Sequence, residues 1–114
     1  YPLTQLYQLD EDRERGDRTL AIALGIRGSL GLALVAAAIA FACFARAATL
    51  TSLAHQPTVG AIAILIAACA WFVVLGRWIV RAPAMRPAAH KRGMYAALGA
   101  WALTDLAVLL AVAP

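Results

Sequence analysis

Five of the six carboxylates in this chain fall between Asp10 and Asp17, interleaved with Arg13, Arg15 and Arg18. Residues three and four apart share a helix face, so Gln5, Gln8 and Asp12 form one polar stripe. Gln8 and Asp12 then direct two oxygens at one point, and Asp10, Glu11 and Asp17 stand near enough to supply more. Magnesium favours such a set: one or two carboxylates, retained waters and substrate phosphate oxygens. The guanidinium forks of Arg13, Arg15 and Arg18 suit the remaining phosphate charge. The cluster is therefore expected to hold a divalent cation against a phosphate-bearing substrate. The competing reading is a solvated loop of acids and arginines paired with one another, which contributes little to stability.

The elements that must position these groups are membrane helices. Hydrophobic residues make up 63% of the chain and charged residues 14%, whereas soluble domains carry about 25% charged residues. A bilayer-spanning helix needs about 20 largely apolar residues. Stretches of that kind occur between Arg27 and Arg46, from Thr58 to Gly76, and from Gly93 to Pro114, where Asp105 is the one charge. The expected fold is all-α: a polytopic transmembrane bundle with spans at 28–46, 59–79 and 93–113. Residues 1–18 form the end of a preceding helix and the acidic loop. With no initiator Met and no signal-peptide pattern at Tyr1, the chain reads as a piece whose earlier helices lie upstream.

Along the chain, residues 1–12 read as one helix end, broken at Gly16. Asp17 is expected to cap a short amphipathic helix to about Leu24, with Gly25 and Gly28 bracketing a second break. Pro57 ends a polar connection, and Pro83 and Pro87 interrupt the 81–92 loop. Nine of the ten basic residues flank the N-terminal segment and the 77–92 loop, leaving Arg46 opposite. These two segments, two spans apart, share a membrane side, which the positive-inside rule makes cytoplasmic, in a bacterial plasma membrane by expectation. The net charge of +4 is thus explained by topology and anionic lipid, and a nucleic-acid partner is excluded.

The segment Tyr7 to Gly25 resembles the second aspartate-rich region of UbiA-type intramembrane prenyltransferases. That region has a DxxxD core, a Gly four residues on, a basic residue with Ser/Thr, a short apolar stretch and another Gly. Asp12, Gly16, Arg18-Thr19 and Gly25 keep that spacing, while Gln8 takes the place of the first aspartate. The resemblance implies the last three spans of a nine-helix fold, and transfer of a prenyl chain from an isoprenyl diphosphate to a lipophilic, often aromatic, acceptor. It implies Mg2+ as cofactor, with Asp12 as the catalytic metal ligand, Gln8, Asp10 and Glu11 as further metal contacts, and Arg18 and Arg15 on the diphosphate. Lacking the first aspartate-rich region, this chain alone is expected to be inactive. The rival classes are a fragment of a transporter and a non-catalytic helical membrane subunit.

Other residues carry weaker expectations. Asp105, mid-span, is either functional, protonated, capped by Thr104, or paired with Arg27 or Arg46. His55 and His90 read as exposed loop residues. Trp78 and Tyr95 suit an interfacial belt. Phe41, Phe44, Trp71 and Phe72 either pack or shield a cation. Gly25, Gly28 and Gly31 suit either close helix approach or a hinge between the short amphipathic helix and the span. Cys43 and Cys69 read as small packing residues.

Overall fold

The structure, a computed structural model, describes residues 2–50 and 57–112, with side chains from 3 to 47 and from 59 to 111. All regular structure among the described residues is helical, in the order α1 (Pro2–Gln5), α2 (Leu9–Glu14), α3 (Leu20–Leu50), α4 (Pro57–Arg81), a 3₁₀ turn (Ala82–Ala84) and α5 (Pro87–Val112). The last three helices are long and apolar enough to cross a membrane. At 1.5 Å per residue each exceeds the ~30 Å hydrocarbon core. This is an all-α protein with three candidate membrane spans.

Residues 1–12 do not form the single helix expected. A turn closes at Leu6–Gln8, where the Gln8 N–H reaches the Gln5 carbonyl at 3.1 Å. No Gly or Pro stands in it, and nothing in the sequence marks it. The break at Gly16 does form, as a Schellman motif: the Gly16 N–H bonds to Arg13 O at 3.1 Å and the Asp17 N–H to Asp12 O at 2.9 Å. Gly16 has φ +75°, which suits glycine and disfavours other residues.

The cap of α3 is Thr19 rather than Asp17. The Ile22 N–H donates to Thr19 Oγ1 at 3.2 Å, the N-cap to N3 bond. Asp17 is committed elsewhere, its amide closing α2 and its carboxylate meeting Arg15. Within α3 the chain breaks at Gly25, with φ 66° and ψ 178°, a region open essentially to glycine alone. Gly28 is helical. The first candidate span therefore extends over Leu20–Ala47, beginning earlier than expected and crossing the break.

Helices α4 and α5 form an antiparallel hairpin. The buried or half-buried positions Gly60, Ile64, Ala67, Trp71, Val74 and Trp78 on α4 alternate steps of four and three. On α5, Gly93, Ala97, Ala100, Thr104, Ala107 and Ala111 do the same. That is the seven-residue seam of left-handed helix packing, filled mostly with small side chains, as membrane helices require for close approach. At Gly60 an added Cβ would lie 2.7 Å from Ala111 Cα. Gly28 and Gly31 approach no other helix in this way, and Gly25 serves as a break.

Helix α3 packs on α4, and α1 and α2 fold back on α3 around Leu6, Leu9, Ala21, Leu30, Leu75 and Trp78. Away from that core the helices turn large apolar side chains outward: Ile39 is 60%, Leu65 63% and Leu109 63% exposed. In water such a surface would be costly, whereas acyl chains match it. Cys43, Cys69 and Phe72 lie on it as well, and the rings of Phe41 and Phe44 pack against each other at 5.9 Å.

Candidate functional site

The acidic cluster resolves into one buried carboxylate and several outward ones. Asp10 and Asp12 are two helical positions apart, about 200° around the axis, so they face opposite ways. The Asp12 side chain is 5% exposed and that of Asp10 75%. Leu9 and Asp12 form the inward face of α2 against α3.

A buried carboxylate needs a partner, and Arg15 supplies it. Its Nη2 donates to Asp12 Oδ1, while its Nε donates to Asp17 Oδ2 at 3.0 Å. One guanidinium thus ties the inner turn of α2 to the residue just beyond the Gly16 break. Hydrogen bonding to Asp17, aided by the charges of Asp17, Asp12 and Glu11, pushes the Arg15 pKa upward. Arg13 meets Asp10 loosely, at 3.6 Å. Glu11 and Arg18 are exposed, and no ion pair joins either among the described residues.

Of the residues expected to share a metal, Asp12 is buried and Gln8 half-buried, joined through the backbone by the Asp12 N–H to Gln8 O bond at 2.8 Å. Asp10 and Glu11 point to solvent. Among the described residues no three His, Cys, Asp or Glu side chains gather as a metal-binding group. Gln5 Oε1, the first member of the polar stripe, is buried without a hydrogen-bond partner. Asp12 offers an inward carboxylate of the kind magnesium accepts with waters and substrate oxygens, but the turn at Leu6–Gln8 puts Gln5 on α1 and Asp12 on α2, so the expected stripe of Gln5, Gln8 and Asp12 does not lie on one helix. Arg15, expected on a diphosphate, is occupied by two carboxylates, and Arg18 is open.

Beside this cap a cavity of about 410 Å³ lies between α2, the Gly25 break and the 3₁₀ turn. Arg13 and Arg27 line it together with Leu9, Leu24, Ile26 and Ala82. The N-terminal arginines and the α4–α5 turn therefore share one end of the bundle.

At that end lies a pair the sequence did not reveal. His90, read as an exposed loop residue, is on α5 and 3% exposed. Helix α5 starts at Pro87, whose missing N–H suits a first helical position. Trp78 is likewise 3% exposed, packed between the helices, while Tyr95 is 57% exposed. Seven residues earlier, Trp71 Nε1 donates to Thr104 Oγ1 at 3.0 Å, and that hydroxyl donates to Ala100 O at 2.9 Å. Thr104 is thus spent and does not cap Asp105, which is exposed on α5. The seven-residue recurrence of Trp on α4, opposite small residues on α5, was the available signal. His55 lies outside the described residues.

No protein-family model, curated protein or solved structure matches this chain.

Proposed function

We propose that this chain is the C-terminal part of a UbiA-like intramembrane prenyltransferase, contributing the last three of nine helices and one of two acidic sites. The acidic cap faces the cytoplasm, as the distribution of Lys and Arg suggests. The observation that carries the reading is Asp12, a buried carboxylate at the end of an apolar bundle. The motif positions support it. Gly16 and Gly25 hold the two positive-φ turns and Thr19 caps α3, so the spacing that carries the resemblance also fixes where Asp12 stands.

In this reading Asp12 is the metal ligand, with Gln8 beside it. Arg18, exposed and clear of ion pairs among the described residues, contacts the diphosphate of the isoprenyl substrate. Arg15 orients Asp12 and becomes available to the substrate only if that pairing opens. Bound Mg2+ supplies Lewis-acid stabilisation of the departing diphosphate. In this reading the second acidic site and the wall of the acceptor cavity come from other helices of the fold. In the intact protein, Asp12→Asn should abolish prenyl transfer in a variant that still folds with near wild-type α-helical content; unchanged turnover would remove the role.

A second reading, a non-catalytic helical membrane subunit, is favoured by one observation: Arg15 spans Asp12 and Asp17 as a closed structural clasp. Under that reading Asp12→Asn lowers the melting temperature, and the protein has no transferase activity to lose.

A further inference from the structure

We infer that the cavity between α2, the Gly25 break and the 3₁₀ turn is a binding site for the phosphodiester headgroup of an anionic phospholipid. Its lining is amphiphilic: Arg13 and Arg27 share it with the apolar residues Leu9, Leu24, Ile26 and Ala82. Among the described residues no acidic side chain lines it. Arg13 is partly matched by Asp10 at 3.6 Å, whereas Arg27 has no acidic partner among the described residues. The site therefore carries close to one uncompensated positive charge. A phosphodiester, with a single negative charge, balances it; a diphosphate would need more cations.

Position supports the same occupant. The break at Gly25 lies within the first candidate span, five residues after its start at Leu20, so the cavity sits near the depth of lipid phosphates. The helix that resumes after the break turns its N-terminal end to the cavity wall at Ile26 and Arg27, adding a modest attraction for an anion. Leu24, on its lining, is 42% exposed and leaves apolar surface open beside the arginines. Charge recognition by a guanidinium with the tail along adjacent apolar surface is what an anionic lipid offers and a soluble phosphate lacks.

The test uses the full protein purified in mild detergent, with native mass spectrometry of retained lipid. Dioleoyl phosphatidylglycerol, dioleoyl phosphatidylcholine and inorganic diphosphate are the probes. Wild type should retain phosphatidylglycerol over phosphatidylcholine. Arg27→Gln should weaken that retention about tenfold, the size of one lost charged hydrogen bond. Arg27→Lys, which keeps the charge, should fall between, and Arg92→Gln, exposed and off the cavity, should match wild type. Three results would overturn the inference. Arg27→Gln could bind like wild type, or Arg92→Gln could weaken retention equally, making the attraction diffuse. Inorganic diphosphate could displace the lipid with the same dependence on Arg27, making the cavity a soluble-phosphate site. None of these readouts uses prenyl transfer, so failure here and failure of the proposed activity are separate outcomes.

Discussion

The indole N–H of Trp78 donates to Nδ1 of His90 at 2.9 Å, both side chains buried, and so joins α4 to α5 beside their connecting turn. For Nδ1 to accept, the imidazole must be neutral with its proton on Nε2. His90→Leu leaves the buried Trp78 N–H without an acceptor, a cost of about 1–3 kcal/mol. Thermal unfolding in detergent should show a lower midpoint for His90→Leu, with His90→Gln recovering part of the loss through its amide oxygen.

Gly93 makes room for that tryptophan. A Cβ there would fall 2.6 Å from the indole Cδ2 and Cε2. Gly93→Ala must therefore displace the ring, and overpacking of this kind costs about 1–3 kcal/mol. Trp78 fluorescence should shift in emission maximum with this variant. An unchanged spectrum and melting point would mean that the helices are farther apart.

At the far end of the same hairpin, Gly60 faces the backbone of Ala111 rather than a movable side chain. Gly60→Val leaves no flexible group to yield, so the two helices must separate. A disulfide-trapping pair across the seam, Ala67→Cys with Ala107→Cys, should cross-link less in the Gly60→Val background than in the parent.

Gly25 is held at φ 66° and ψ 178°, and a Cβ added there would meet nothing within 4 Å. Space is not the restriction there; backbone conformation is. Gly25→Ala should cost about 1–3 kcal/mol, while the same substitution at Gly31, helical and also in open space, should stabilise slightly by raising helix propensity. Comparing the two melting points separates strain from packing.

These sites show what sequence can and cannot carry. Charge-free runs of spanning length made three membrane helices legible, because the bilayer imposes a length on apolar composition alone. Gly16 and Gly25 were legible as breaks, since left-handed backbone has one common residue type. The choice of Thr19 over Asp17 as cap was not, because it turned on Asp17 already serving α2 and Arg15. Membership of the acidic cluster was legible but its directions were not. A turn at Leu6–Gln8 and the opposed faces of Asp10 and Asp12 decide which carboxylate goes inward. The Trp78–His90 pair depends on contact between two helices, which no local pattern records.

The central claim is that Asp12 serves a cation-dependent transfer of a prenyl group. Its most direct test is turnover of the intact protein with allylic diphosphates and lipophilic acceptors, with and without Mg2+, for wild type and Asp12→Asn. Turnover should need Mg2+ and fall more than about a hundredfold in the variant. Transfer that persists in a chelator, or that is equal in the folded variant, would contradict it.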